Sequence, residues 1–507
     1  MSAGDGGGAL PDHGAVQRTR IDGVPVFSAG GRERTTAALV FGVGLRDETF
    51  ATIEVTHLVE HLAMAALPRT HLRCNAVTDV DSTAFFATGR PAAVGAFLEG
   101  VCRALADLPT ERMAAEVGVL QAEGCSSGSS TVSALWAARY GLAGPGLTVS
   151  AGPGAEYLDE ETVRAHAARW FVRSNAALWC HGPLPEGLRL PLPDGPRPVR
   201  RLPVPRPQDG PVWTHTDAPG VGLLLAGDVP ADAALALGVD VVQERLRERA
   251  RHDRGLSYAV DSLTLDLAPA RREVAVVVDA RTGHDAEVAG LLWDVFAELC
   301  STGPTPAEVA HAVEGLEAEL DDEDAVGAEL ADAAYCAATG LPFRPAADTL
   351  AAWRAVTPAQ VTAALRRAEP TAVLAVPDTA PWDGPAGVAR RPLCGTRPEL
   401  PEGTLFRPPL VRRLLDPSAR VALLVSAEGL AHADADGDVH GIPWSRVEAV
   451  VPSDDGRGFS VVGRDLCCVR VHPDLYGPRA VAAVLERAPA AALLRRPASG
   501  APEYAAV

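Results

Sequence analysis

Lysine is missing from this 507-residue chain: all 46 basic residues are arginine, against 65 acidic ones, for a formal charge of -19. The missing lysine goes with abundant Ala, Gly, Pro and Arg and reflects a GC-rich genome more than a function. The missing positive balance does exclude something. A general nucleic-acid or anionic-membrane binder needs a basic surface, so neither partner is expected. No apolar run is long enough to span a bilayer, and the Gly-rich start from Met1 to Gly8 lacks the charged-then-apolar pattern of a signal peptide. Paired Cys-x-x-Cys spacing is absent too. Nine cysteines, an odd number scattered from Cys74 to Cys468, do not form a secreted disulfide framework, so a reducing cytoplasm is expected.

What remains is a soluble globular composition, 47% hydrophobic and 22% charged. A chain this long divides into about three or four cores. Two Pro-rich stretches, 183–211 and 378–409, mark the boundaries. They separate 19–182, 212–377 and 410–495, with a disordered N-terminus over 1–18 and a tail over 496–507. The first block reads as two strands, a helix, a strand over Asn75 to Gly89, helices, then a closing helix and strand; the second reads as one strand, a helix, two strands, helices and the same closing pair, which implies a structural duplication. The third block alternates short strands with turns and ends in one helix, Gly477 to Arg487, giving a small antiparallel β domain. The fold class expected is α+β: two related αβ domains followed by that β domain. Thr110 is expected to cap the helix that follows it, and Cys467-Cys468 to lie in a buried strand.

His57-Leu58-Val59-Glu60-His61 is the stretch with chemistry in it. On a helix, residues four apart share a face, so His57 and His61 present two imidazoles to one metal ion with Glu60 beside them. Two histidines plus one carboxylate leave a fourth position for water, which is the arrangement of a catalytic zinc, whereas a structural zinc takes four closed protein ligands. Glu123, on a later helix able to pack against the first, is the candidate third ligand; read alone it is better taken as a solvated acid at a helix end. Glu60 is then available as general base, taking a proton from the water that attacks an amide.

Gly42-x-Gly44-x-Arg46-Asp47-Glu48, the His57 to His61 stretch, Asn75-Ala76-Val77-Thr78 with Thr83-Ala84-Phe85-Phe86, and Glu116 with Glu123 resemble, in order and spacing, the pitrilysin/insulinase family of inverted-motif zinc metallopeptidases. The resemblance covers roughly Thr19 to Pro377. It implies one zinc per chain on His57, His61 and Glu123, Glu60 as base, Glu116 as a supporting carboxylate, and Asn75 and Ala76 on an edge strand that pairs with a peptide substrate. Arg251-His252-Asp253-Arg254-Gly255-Leu256-Ser257-Tyr258 is similar to the family's Arg/Tyr element. By that likeness Arg251 and Tyr258 hold substrate and stabilise the oxyanion in a chamber completed by a second subunit, as a homodimer or with a related peptidase subunit. The interval from His61 to Glu123 is shorter than is usual in the family, with the loss around Leu67 to Arg73. The C-terminal block looks like a pleckstrin-homology-like domain, although its acidic turn, Asp434-Ala-Asp436-Gly-Asp438, suits neither a phosphoinositide nor a calcium loop. The function implied is a zinc endopeptidase acting on peptides or unfolded segments. The alternative is a non-catalytic peptide-binding or partner-stabilising subunit.

Overall fold

The structure is a computed structural model that describes residues 16–124, 130–227, 233–394, 396–397, 402–435 and 437–495. The expected N-terminal segment, apart from its last residues, and the tail lie outside the described residues, as do most of the Ser/Gly-rich stretch Ser126 to Ser130, which reads as a loop, and the central Asp436 of the acidic turn.

The first block contains β1 (Gln17–Ile21), β2 (Val24–Ala29), β3 (Thr35–Phe41), α1 (Val55–Ala65), β4 (Arg73–Thr78), β5 (Thr83–Gly89), α2 (Pro91–Ala106), α3 (Met113–Gly124), α4 (Thr131–Tyr140), α5 (Glu160–Trp170) and β6 (Ala176–His181). Its sheet runs β1-β2-β6-β3-β5-β4, with β2 and β6 parallel and the other neighbours antiparallel. The second block has β7 (Val212–Thr216), β8 (Val221–Gly227), α6 (Ala233–Leu246), β9 (Val260–Ala268), β10 (Arg271–Val278), α7 (Asp285–Ser301), α8 (Pro306–Leu320), α9 (Ala325–Thr339), α10 (Ala346–Arg354), α11 (Pro358–Ala368), β11 (Val373–Pro377) and β12 (Ala389–Arg390). Its sheet runs β12-β7-β11-β8-β10-β9. From the second strand onward the two orders correspond position by position, including the parallel pairing of β7 with β11. The outermost strands differ, since β12 comes from the end of its block and runs parallel to β7. The duplication is therefore one of topology.

Each sheet buries one face under its own helices. In the first, Leu39, Phe41 and Phe85 pack on Leu58, Leu62 and Leu98. The other faces are covered reciprocally. Leu330, Ala333, Ala334 and Ala338 of α9 lie on Phe27, Ala38, Val40 and Ala177 of the first sheet. Leu135, Trp136 and Ala138 of α4 lie on Leu224, Ala275 and Val373 of the second. Each half thus lends a helix to the other.

The glycines of the quoted motif follow from this exchange. A Cβ on Gly42 would stand 2.3 Å from the Ala338 carbonyl oxygen of α9, and one on Gly44 would stand 2.3 Å from the Asp79 carbonyl oxygen. Backbone against backbone at that distance admits no side chain. Arg46 crosses to the second half, donating to the Leu267 carbonyl at 3.1 Å.

The Pro-rich stretch 183–211 lacks regular structure but does not hang free. Leu188, Leu190 and Leu192 are buried in the first core, and Arg200 donates to Asp47 at 3.1 Å. It is a strap laid along the domain. The connection after β12 contributes two strands to the C-terminal region, β13 (Thr396–Arg397) and β14 (Thr404–Phe406). After α12 (Leu410–Leu415) come β15 (Ala422–Val425), β16 (Gly429–Ala433), β17 (Val439–Pro443), β18 (Val447–Pro452), β19 (Phe459–Gly463), β20 (Cys468–Val471), α13 (Pro473–Tyr476) and α14 (Pro478–Arg487). They form an antiparallel sheet ordered β13-β17-β16-β15-β14 and a smaller one ordered β18-β19-β20. Ala480 and Val484 of α14 pack into the core that the two sheets share.

Two local expectations are corrected. The Thr110 hydroxyl donates to Glu160 at 2.8 Å instead of capping α3, because a short helical turn, Thr110–Arg112, precedes that helix. Cys467 is buried in the turn before β20, whereas Cys468 opens the strand and is exposed.

Candidate active site

Helix α1 starts on an unusual residue. Glu54, its N-cap, has φ 77°, in the left-handed region, where a non-glycine residue is strained. Glu48 fixes it: the Glu48 carboxylate accepts the Glu54 N–H at 3.0 Å and the Thr56 N–H at 2.8 Å, satisfying two free donors of the helix start. Burial pushes the Glu48 carboxyl up to about 8. From this start, Leu58, Val59 and Leu62 enter the core, while His57 and His61 stand on the opposite flank with ring centroids 4.7 Å apart.

Helix α3 brings the third donor. Only Glu116 and Leu120 of α3 are buried, and Glu123 continues the same stripe one turn on. Glu123 Oε2 lies 3.6 Å from His57 Nε2 and 3.6 Å from His61 Nε2. The three donor atoms fall within 4.8 Å of one another. Bonds of about 2.0–2.2 Å to a tetrahedral zinc would set such N and O atoms about 3.4 Å apart, so the donor set fits that ion. The Glu123 side chain is 52% exposed, which leaves one side of the cluster open.

Supporting groups surround these donors. His57 Nδ1 lies 2.9 Å from Glu54 Oε2, so the ring presents Nε2 inward when its Nδ1–H is given to that carboxylate. Burial lowers the His57 pKa, but the Glu54 bond and the nearby carboxylates outweigh it and the net shift is upward. His61 Nδ1 lies 3.7 Å from Glu116 Oε2, and Glu116 is held by Arg112 at 2.9 Å. Glu60 Oε2 is 3.9 Å from His57 Nε2 and accepts the Thr78 hydroxyl at 3.2 Å. Glu60 is only 6% exposed. That burial raises its pKa against the pull of both histidines.

Thr78 belongs to β4, the outermost strand, which among the described residues pairs only with β5. Asn75 and Ala76 lie on this strand, opposite Phe86 and Phe85, with Ala76 turned inward and Asn75 exposed. An open strand edge thus adjoins the histidine cluster. Arg251 and Tyr258 meet each other instead: the guanidinium lies 5.2 Å from the Tyr258 ring centroid. Tyr258 is 77% exposed, yet its backbone is pinned, since the Tyr258 and Ala259 N–H groups donate to Asp279 at 2.9 and 2.7 Å. Among the described residues, this pair does not touch the His57 to His61 cluster.

Sequence reasoning quoted Glu48 and Thr78 within its motifs without giving them a role, and missed Glu54 and Arg112. Glu54 stands three residues before His57, and Arg112 four before Glu116, so helical spacing alone marks both.

No protein-family model and no curated protein matches the sequence. Solved structures do match. The peptidase M16 inactive domain from Pseudomonas fluorescens is similar with a TM-score of 0.58 at 18% identity, over 72% of this chain and 99% of that one. A protease from Helicobacter pylori gives 0.59 at 14% identity, over 72% and 99%. The fold is that of the M16 peptidases. Pitrilysin shares it at a TM-score of 0.53 and 15% identity, over 74% of this chain but 46% of its own length. Identities this low speak for the fold alone, and one of these M16 neighbours is described as inactive. What the M16 fold does in this chain rests on its side chains.

Proposed function

We propose that the chain is a zinc-dependent endopeptidase acting on peptides or unfolded segments. The convergence of His57 Nε2, His61 Nε2 and Glu123 Oε2 beside a buried Glu60 carries this reading. His57, His61 and Glu123 would hold the ion; Glu54 and Glu116 orient the two imidazoles from behind. Zinc at such a site supplies Lewis acidity to a scissile carbonyl and lowers the pKa of water to about 7.

The chain's own groups do the rest. The outer edge of β4 receives an extended substrate by main-chain hydrogen bonds, which selects conformation more than sequence. Glu60 Oε2 takes a proton from the attacking water and returns it to the departing amine nitrogen, while the Thr78 hydroxyl keeps that carboxylate aimed. Its burial limits the bulk water that could compete for the proton. Arg251 and Tyr258, stacked on each other with Tyr258 exposed, are read as serving the site of another chain, in a homodimer or a pairing with a related subunit. No described helix is long and apolar enough to cross a membrane. The scattered free cysteines suit a reducing cytoplasm, which is the compartment proposed for the enzyme. The C-terminal region, with two antiparallel sheets and a closing helix, is read as a pleckstrin-homology-like module for protein interaction or subunit positioning.

Glu60→Gln tests the mechanism. The variant should bind zinc as the wild type does and lose cleavage of an unstructured peptide by at least about 100-fold, the low end of a general-base contribution. A Glu60→Gln protein that still cut peptides would remove Glu60 from the reaction. A wild-type protein that held zinc but cut nothing would favour the peptide-binding subunit instead.

A further inference from the structure

A second convergence of donors lies outside the candidate active site. Cys394, from the connection after β12, His440 of β17 and Cys467, in the turn before β20, place their ligand atoms within 4.8 Å of one another. Cys394 Sγ is 3.3 Å from His440 Nδ1, and Cys467 Sγ lies within 4.8 Å of both. Tetrahedral zinc bonds of about 2.3 Å to sulfur and 2.1 Å to nitrogen would set S and N about 3.6 Å apart and two sulfurs about 3.8 Å apart, so little movement is required.

The surroundings are those of a metal centre. His440 turns its other nitrogen, Nε2, toward Asp434 Oδ2 at 3.5 Å, the carboxylate-behind-histidine arrangement that fixes a metal-binding ring. Cys467 is 1% exposed, and Leu466 beside it has φ 69°, so the turn holds a strained backbone that aims the thiol inward. The three residues come from segments far apart in sequence, so no single local turn explains their meeting. Two thiols and an imidazole form a soft donor set that selects zinc over hard cations such as magnesium or calcium.

We propose that Cys394, His440 and Cys467 bind a second zinc ion: three protein donors are one short of the closed set of a usual structural zinc, so water completes the coordination, and the ion still bridges the connection to the C-terminal sheets. β13 has only two residues, and it reaches the sheet through the pairing of Thr396 with His440 and Arg397 with Val439. So short a ladder is a weak anchor by itself. A metal bridging Cys394 to both β17 and the turn before β20 would fix the same strand through coordinate bonds. Coordination would also protect both thiols from alkylation, since a metal-bound thiolate is not free to attack.

The test uses the full chain, purified under reducing conditions and measured for metal by mass spectrometry. A His57→Ala/His61→Ala variant should retain one equivalent of zinc, and adding Cys394→Ser to it should remove that equivalent. Cobalt substitution of the His57→Ala/His61→Ala protein should give a thiolate-to-metal charge-transfer band, which reads the site without relying on the folding of any cysteine variant. Chelation should make Cys394 and Cys467 reactive to iodoacetamide and speed proteolysis between 378 and 409. The proposal is overturned if the His57→Ala/His61→Ala protein carries no zinc and shows no cobalt–thiolate band, or if Cys394 and Cys467 are found joined in a disulfide. Copper in place of zinc would overturn the choice of ion. Because the active-site histidines are already removed, these outcomes are independent of whether the chain is a peptidase.

Discussion

Glu54 sits where a single residue governs both the backbone and the chemistry of the site. Its left-handed φ of 77° costs stability that a glycine would not, while its carboxylate, 2.9 Å from His57 Nδ1, orients a proposed ligand. The two effects separate in Glu54→Gly. Stability should hold or rise by a few tenths to about 1 kcal/mol in urea titrations, since the strain is relieved. Zinc affinity, measured by competition with a chromophoric chelator, should fall about 10- to 100-fold. A variant that lost stability and kept its affinity would show that Glu54 is a helix-start residue alone. This role was visible in the sequence only as a spacing. His57, Glu60 and His61 announce themselves because one helix carries all three. Glu123 arrives from another helix, and no local pattern gives the 3.6 Å approach of its carboxylate to both rings. Cys394, His440 and Cys467 were harder still, being drawn from three segments with no common period.

Among the elements, most strands and helices along each half were legible from periodicity and turn residues, because one buried face imposes one period, but β7, β12 and α10 were not, and β4 and β5 read as one strand. The partner of that face was not legible. A helix pattern says that a stripe is buried and does not say against what, so the exchange of α4 and α9 between the halves stayed hidden. The packing of α4 shows the difference: nearly every one of its residues is buried, which one-sided packing does not produce. That helix carries a charge inward, with Arg139 Nε 2.9 Å from Glu273 Oε2 of β10 and side-chain exposures of 3% and 0%. Tyr140 donates to the same carboxylate. Glu273→Leu would leave Arg139 charged and without its counter-ion between the halves, and should cost about 3–5 kcal/mol in chemical denaturation. A cost under about 1 kcal/mol would mean that water reaches the pair.

Helix α5 supports the site helix in a way that depends on pH. His166 Nε2 lies 3.0 Å from the Thr56 hydroxyl at the start of α1. Burial, aided by the Arg169 charge, pushes its pKa from 6.5 down to about 3. The unfolded chain takes up a proton below pH 6.5 that the folded one refuses until about pH 3, so stability falls as the pH drops through this window. His166→Gln keeps an acceptor for Thr56 without the titration. The loss of stability between pH 7.5 and pH 5 should shrink by about 1–2 kcal/mol in the variant, read from urea midpoints at the two pH values. An unchanged difference would place the acid sensitivity elsewhere.

The molecule as a whole carries its proposed catalytic parts in separate halves of the chain. The histidine cluster and the open edge of β4 belong to the first half; Arg251 and Tyr258 belong to the second, stacked on each other, with the Tyr258 backbone pinned by Asp279 and its side chain left in solvent. If two copies complete each other's chamber, defects in the two parts must complement. Glu60→Gln alone and Arg251→Ala/Tyr258→Phe alone should each be inactive. Mixed after dissociation in equal amounts, half of the dimers pair one of each, and one of the two chambers in such a dimer has an intact Glu60 facing an intact Arg251 and Tyr258. Recovery should approach about one quarter of wild-type peptide cleavage, the product of those two halves. Recovery near zero, with mixed dimers demonstrated by mass, would rule out a shared homodimeric chamber and leave the related-subunit pairing, in which the complementing Arg/Tyr pair comes from a different chain.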